Sequence, residues 1–288
     1  MPLLVTGATG RTSAGVVRHL RAAGEDVRVL VRDRDKAKKT FGDANGVEIV
    51  DGDFDDEAVL AKAFDVVDVA FLALGSSPDQ VRLEKAMIDG AVKAELPHLV
   101  KLSSTATSHD SVLLVGQLHA EIEDHLVASG LAYTLLRPAS YVNNLFYAAS
   151  SVAAENSWTG AAPTGRVAYI DIRDLSEAVA LVLRDPALRG RTYGLSGPDA
   201  YTFPEIAELL SRILGHEVKY VPVSADDRRS ALLGAGIPEW FAGLLLSLDT
   251  SAEAGELSTL TTTLKELLGH EPRTVEEFLI ENAAQFRN

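Results

Sequence analysis

Residues 5–13 read VTGATGRTS, and this stretch decides the fold. It joins a short apolar run, LLVT at 3–6, to an amphipathic segment at 11–24, RTSAGVVRHLRAAG. Val16, Val17 and Leu20 share one helical face, and Gly24 is the expected stop. A glycine-rich turn between a first strand and a first helix is built to hold a pyrophosphate. Gly7 and Gly10 permit a tight turn and let backbone N–H groups approach the phosphates closely, and the helix N-terminus adds a favourable dipole. The order is Gly-x-x-Gly-x-x-Ser rather than Gly-x-Gly-x-x-Gly. Ser13 therefore stands where a third glycine normally allows close packing, and a slight adjustment is expected there. A turn of this composition with no ligand is the rival reading; the position at the first strand-to-helix junction favours the ligand. Thr9, Arg11 and Thr12 belong to the same expected phosphate site.

Working outward, strand and helix signals alternate. VRVLV (27–31), VEIV (47–50), VVDVAFLAL (66–74) and HLVKLSS (98–104) read as strands. DKAKKTF (35–41), EAVLAKAF (57–64) and a stretch at about 79–94 read as helices. LAYTLLRP (131–138) is a sixth strand, after a helix that begins near VGQLHAEIE (115–123). Such a series predicts a Rossmann-like, doubly wound parallel sheet covered on both faces. Beyond Pro138 the pattern loosens. A short helix and the turn-rich GAAPTG occupy 141–165. Strand-like RVAYIDI and helical DLSEAVALVLRD follow, then a strand at TYGLSG, a helix at PEIAELLSRILG, a strand at VKYVPV, and short helices. The expected division is a dinucleotide-binding domain at 1–140, with 166–185 folding back onto it, and a smaller mixed α/β substrate-side lobe at 141–288.

Bulk numbers narrow the class. The chain has 288 residues, 47% hydrophobic and 24% charged, with a net charge of −14 and no cysteine. Disulfides, thiolate nucleophiles and cysteine-based metal sites are excluded. The negative charge disfavours nucleic acid. No apolar run is long enough for a membrane span, and no basic leader precedes PLLVTG. A cytoplasmic protein that binds neither membrane nor nucleic acid is expected. The histidines at 98, 109, 125, 216 and 270 form no metal-ligand spacing, so no metal is expected.

The end of the second strand reports on the cofactor. An acid there holds the ribose 2′-OH of NAD, whereas a base favours the 2′-phosphate of NADP. Arg32 follows the strand directly, and Asp33 and Asp35 dilute the signal. NADPH is expected, with NADH less favoured. In GDFDD, Asp53 is placed to accept from the adenine amino group, with Phe54 beside it; Asp55 and Asp56 read as helix caps. Leu74 and Gly75 of ALGSS, after the fourth strand, are expected to lie against the nucleotide.

TGATG, VRDRDKA, GDFDD, VKLSS, HAEIEDHLVASGLAYTLLRP and DIRDLSEAVALVL occur in an order that resembles the NmrA-like branch of atypical short-chain dehydrogenases/reductases. The later stretches YGLSGPDAYTFPEIAELLS, AGIPEWFAGLL and LKELLGHEPRTVEEF resemble its bacterial NAD(P)H:quinone oxidoreductase members. In the wider superfamily a Tyr-x-x-x-Lys pair on the helix after the fifth strand supplies the proton and holds the nicotinamide ribose. Alignment on Ala-Glu-x-Glu puts His119 at the lysine position and Val115 at the tyrosine position. Valine donates no proton, so ordinary ketone chemistry through that dyad is not expected.

The superfamily's serine partner falls on Ser103, Ser104 or Thr105. Helical spacing sets His119 at the edge of the Leu118–Ile122–Leu126 stripe, with Glu123 one turn on as a pairing partner. A solvated or structural histidine is the rival reading; the resemblance implies one that positions ligand. It also implies that Pro138, Ala139 and Ser140 contact the cofactor. Tyr141, Asn144, Phe146 and Tyr147 would line the substrate pocket, with Trp240 on another wall and Tyr141 a candidate beside His119 for a catalytic role. Asp171 and Asp174 read as organisers of a strand-to-helix turn.

Three functions follow. The first is an NADPH-dependent reductase of quinones or similar planar apolar acceptors, without flavin or metal. The second is a non-catalytic NADP-binding sensor with a protein partner. The third is a biosynthetic ketone, enone or imine reductase. A homodimer is compatible with each.

Overall fold

The computed structural model describes residues 1–42 and 46–287, and these fall into two compact units. One comprises residues 1–104, 118–137 and 172–194; the other comprises 105–117, 138–171 and 195–288. The chain therefore passes between units several times, where the sequence suggests one main boundary near 140. Of the segment expected to fold back at 166–185, the helix belongs to the first unit and the strand to the second. The two units are also of similar length, where a larger and a smaller one were expected.

In the first unit, β1 (Leu3–Thr6), β2 (Val27–Val31), β3 (Val47–Asp51), β4 (Val69–Leu72), β5 (His98–Leu102) and β6 (Tyr133–Pro138) join a seven-stranded sheet in the order 3-2-1-4-5-6. The seventh strand, Thr192–Leu195, lies beside β6. The pairs β1–β2, β1–β4, β2–β3, β4–β5 and β5–β6 are parallel, with Leu3 opposite Val27 and Val5 opposite Phe71. Every residue of β1, β2, β4 and β5 is buried, the signature of strands covered on both faces.

Helices α1 (Arg11–Ala22), α2 (Arg34–Phe41), α3 (Glu57–Phe64) and α4 (Gln80–Lys93) alternate with these strands. In α1 the predicted face, Val16, Val17 and Leu20, is at most 1% exposed. Gly24 ends the helix at φ +84°, a conformation that suits glycine. Asp33 caps α2 by accepting from Lys36 N, and Asp56 caps α3 by accepting from Ala58 N. Leu4, Leu30, Leu72, Met87, Ile88 and Ile122 belong to the apolar core of this unit.

α5 (Leu114–Ala128) carries Val115 and His119. The second unit holds β7 (Ser140–Tyr141), α6 (Ala149–Glu155), β8 (Ser157–Gly160) and β9 (Arg166–Ile170). α7 (Ile172–Arg184) returns to the first unit, and β10 (Thr192–Leu195) is its seventh strand. β11 (Ala200–Thr202), α8 (Phe203–Leu214), β12 (Lys219–Pro222), α9 (Ala225–Gly234), α10 (Glu239–Glu253), α11 (Thr263–Leu268) and α12 (Val275–Glu281) complete the second unit. β9 pairs antiparallel with β11 and parallel with β7, and β12 pairs parallel with β8. The sequence reading missed β8, and it expected short helices where α10 runs for 15 residues. Trp158, Tyr169, Ile206, Leu210, Phe278 and Phe286 anchor this unit's core. A capping box between Thr202 and Glu205 starts α8, and Gly215 ends it in the left-handed conformation. No helix of the described residues is long and apolar enough to cross a membrane.

Candidate functional site

The glycine turn sits where the strand order reverses, with β2 and β3 on one side of β1 and β4 onward on the other. Ligands of open α/β sheets bind at this kind of switch point. Gly7 has φ +56°, and a Cβ there would stand 2.3 Å from the carbonyl oxygen of Ala73. Conformation and space therefore both demand glycine. Thr6 Oγ1 accepts from Ala73 N at 3.0 Å, tying the end of β1 to the end of β4. Gly10 N donates to Gly7 O at 2.8 Å, and Gly10 is then the N-cap of α1. That cap has no side-chain hydrogen bond, and the first turn carries no acid. The leading N–H groups of α1 thus have neither an intrahelical acceptor nor a side-chain cap, which leaves them for an anionic ligand.

Around this turn, Thr12 and Ser13 are buried, Thr9 is half-buried and Arg11 is exposed. The close approach expected near Ser13 occurs at Gly15 instead. A Cβ on Gly15 would lie 2.3 Å from Ser176 Oγ of α7, which donates to Thr12 O at 3.0 Å and Ile172 O at 2.7 Å.

Arg32 is exposed at the end of β2, with its guanidinium carbon 5.5 Å from the centre of the Phe54 ring. Phe54 is buried and serves as a platform for the cation. The neighbouring charges are committed elsewhere: Asp33 to the α2 cap and Arg34 to Asp51 at 2.5 Å. Asp53 is exposed after β3; Leu74, half-buried, and Gly75, exposed, follow β4.

His119 is 6% exposed. Its Nδ1 lies 3.1 Å from Nζ of Lys101, a fully buried residue of β5. Burial, with the Lys101 charge adding to it, holds the imidazole well below its ordinary range. Glu123 is not its partner. That carboxylate accepts from Ser103 Oγ at 2.5 Å and from Arg137, whose Nε is 3.1 Å away. The hydroxyl proton of Ser103 is thereby directed to Glu123. Sequence reading missed Lys101, although a lysine inside the buried run HLVKL is itself a signal, because such a charge needs partners.

Most of the remaining expected residues belong to the second unit. Val115 packs against its core. Pro138 and Ala139 are buried, and Ala139 N donates to Leu195 O at 2.7 Å. A cavity of about 270 Å³ opens in this unit, lined by Ser140, Asn144 and Tyr147 with Trp158, Arg228 and Asp249. Leu245 and Leu248 of α10 add apolar wall. Phe146, expected to line the pocket, packs instead against Phe278 at 5.2 Å and Phe286 at 5.9 Å. Neither Tyr141 nor Trp240 lines this cavity; Trp240 is half-buried, and its neighbour Phe241 meets Tyr147 edge-on at 6.1 Å. Asp249 accepts from Ala161 N at 3.1 Å and lies 3.5 Å from Arg228 Nε. Burial pushes its carboxyl above the usual range. Asp174, in the first turn of α7, is fully buried. No group of three potential metal ligands occurs among the described residues.

Comparison with known proteins places this site in context. The chain is 30% identical over 284 residues to an NAD(P)H azoreductase of Xenophilus azovorans, covering 99% of both chains. It is 30% identical over 275 residues to quinone oxidoreductase 2 of Escherichia coli, covering 96% of each. The crystal structure of that NADPH-dependent quinone oxidoreductase, complexed with NADPH, superposes with a TM-score of 0.92 over 98% of this chain and 99% of that one, at 28% identity. A triphenylmethane reductase of Citrobacter sp., complexed with NADP(H), gives 0.88 at 26% identity, covering 98% and 99%. The model of the NmrA-like family matches residues 2–279, and this chain belongs to that family.

Proposed function

We propose that this protein is an NADPH-dependent oxidoreductase that reduces planar, apolar acceptors, with quinones as the leading class. The observation that carries the reading is the Gly7–Gly10 turn, which delivers an uncapped helix N-terminus at the switch point of the sheet. That arrangement fits the pyrophosphate of a dinucleotide. The relatives support the rest, since those named above are an NAD(P)H azoreductase, an NADPH-dependent quinone oxidoreductase and a triphenylmethane reductase complexed with NADP(H).

The preference for NADPH over NADH rests on Arg32. Its guanidinium, set over Phe54, can meet a 2′-phosphate with paired charge-assisted hydrogen bonds. Bound NADPH supplies the hydride. The chain supplies orientation: Gly7 and Gly10 for the pyrophosphate, Asp53 for the adenine, and His119 for the nicotinamide side. The cavity beside Asn144 and Tyr147 receives the acceptor.

The acceptor class follows from the missing acid. Val115 cannot protonate an alkoxide, and the Ser103 proton is turned to Glu123. A simple ketone would then lack a proton donor at both of the superfamily's positions. A quinone gains two electrons with one hydride and becomes a delocalised hydroxyphenolate, far less basic than an alkoxide, so water completes the protonation. Direct transfer then needs neither flavin nor metal.

The test is flavin-free protein given NADPH and a panel of quinones and unactivated ketones. Quinone-dependent NADPH oxidation that exceeds ketone turnover is expected. Tight NADPH binding with no oxidation by any quinone would overturn the reading and promote a non-catalytic NADP sensor.

A further inference from the structure

Lys101 carries an arrangement that the proposed function leaves unused. Its Nζ is surrounded by three acceptors: Glu84 Oε2 at 2.6 Å, Leu102 O at 2.6 Å and His119 Nδ1 at 3.1 Å. Lys101 and Glu84 are both fully buried, and Gln80, also buried, donates its amide to Glu84 Oε1 at 3.0 Å. An ammonium has three protons and no lone pair. Glu84 meets it as an ion pair, while Leu102 O and His119 Nδ1 are its hydrogen-bond partners, and each of those two must present a lone pair to it. Nδ1 of His119 therefore bears no proton, and a neutral imidazole must then carry its proton on Nε2.

We infer that Lys101 is a positioning residue that fixes His119 as the neutral Nε2–H imidazole, making it a one-way hydrogen-bond donor to an oxygen of the bound ligand rather than a store of protons. The role of the ligand here rests on the oxidoreductase reading; the proton position does not. A second proton on His119 would have to enter at Nδ1, where it would meet the Lys101 ammonium and break the hydrogen bond between them. Glu123, one turn on from His119, is held by Arg137 and by Ser103 rather than by the imidazole. Within its own unit, Nε2 has no partner among the described residues. The geometry also supplies a cation from β5 beside a helix position that the superfamily gives to lysine. The charge is present, but it acts through an imidazole.

The experiment reads proton positions directly. In ¹⁵N-labelled full-length protein, imidazole nitrogen shifts and two-bond couplings are recorded between pH 6 and 8, with His119→Gln used to assign the signal. A single tautomer is expected, with Nε2 of the protonated type and Nδ1 of the unprotonated type across the range. The double variant Glu84→Gln/Lys101→Met removes both buried charges together, so neither is left unpaired. It is expected to show a tautomer mixture, and Lys101→Arg is expected to restore Nε2–H.

In NADPH-dependent turnover, the double variant should raise KM about two- to tenfold with a smaller change in kcat, the loss of one neutral hydrogen bond. A protonated Nδ1 in the wild type would overturn the inference, and so would an undisturbed Nε2–H tautomer in the double variant. The wild-type spectrum decides the proton position even if the double variant does not fold. If no acceptor is reduced but the wild type shows Nε2–H, the lock stands and the oxidoreductase reading fails, which separates the two.

Discussion

Gly15 of α1 lies so close to Ser176 of α7 that a Cβ on the glycine would stand 2.3 Å from Ser176 Oγ and 2.7 Å from its Cβ. Glycine normally costs a helix about 1 kcal/mol relative to alanine. Here close packing must outweigh that propensity. Gly15→Ala is expected to destabilise by about 1–3 kcal/mol through overpacking. For a chain of this length each kcal/mol shifts Tm by roughly 2–4 °C. Ser176→Gly added to Gly15→Ala should recover part of the loss, a coupling that a double-mutant cycle measures. A rise in Tm for Gly15→Ala alone would mean that the helices have room to separate.

The placement of Arg32 over Phe54 gives a second expectation. Arg32→Asp should weaken NADPH binding by about 10–100-fold, the value of charge-assisted bonds to a phosphate, and leave NADH binding nearly unchanged or improved. Phe54→Leu keeps the site apolar but removes the ring face under the guanidinium. It should reduce the NADPH preference part of the way. Titration of both cofactors against the three proteins checks this, and equal affinities throughout would remove Arg32 from the cofactor site.

The parallel strands and the turn were legible because their signals are local. LLVT, VRVLV and VAFLAL are apolar runs that only a doubly covered sheet can bury, and the turn at Gly7 follows the first of them. α1 and α4 follow from period and from stops such as Gly24. What escaped depends on residues distant in sequence. Gly15 reads as an ordinary helical glycine until α7 arrives at Ser176. The role of Lys101 depends on Glu84 of α4 and His119 of α5. Glu123 is a partner for His119 by spacing within one helix, but Ser103, just past β5, and Arg137 of β6 take it. Phe146 sits in a stretch that resembles a pocket lining, yet Phe278 and Phe286, far downstream, make it core. β8 has four residues, too few for a periodic signal.

Two buried histidines set an acid limit. Burial, with Arg189 contributing, lowers His98 to about 4, and burial with Lys101 lowers His119 well below the ordinary 6.5. Both folded values lie below the unfolded one. The unfolded chain therefore binds more protons in the window below pH 6.5, and stability falls as pH falls. The loss from His98 begins near 6.5 and is complete below about 4. Asp249 has the opposite sign, since burial raises its carboxyl, and its gain enters only toward the carboxylate range. Tm is expected to drop between pH 7 and 5, and less steeply in His98→Asn, where the Thr134 contact at 2.8 Å can be kept by the amide. Identical slopes in the two proteins would show that His98 is protonated equally in both states.

The cavity of the second unit allows shape to be separated from polarity. Leu248 lines it from α10, and the lining also includes Trp158 and Tyr147. A volume of about 270 Å³ suits a small fused-ring acceptor but leaves little slack. Leu248→Trp should therefore raise the KM for a naphthoquinone by tenfold or more and affect benzoquinone less, while the Kd for NADPH stays constant, because the turn, Arg32 and Asp53 all lie in the first unit. Arg228 tests the polar part. Its Nε is buried without a hydrogen bond, 3.5 Å from Asp249. A buried donor that reaches a carboxylate only at 3.5 Å gains from a ligand oxygen that completes its hydrogen bond. Arg228→Met should thus weaken acceptors that carry a carbonyl or acidic oxygen more than apolar acceptors of the same outline. Steady-state kinetics on matched pairs of acceptors measures both effects. If Leu248→Trp leaves naphthoquinone and benzoquinone unaffected, the acceptor binds somewhere other than this cavity.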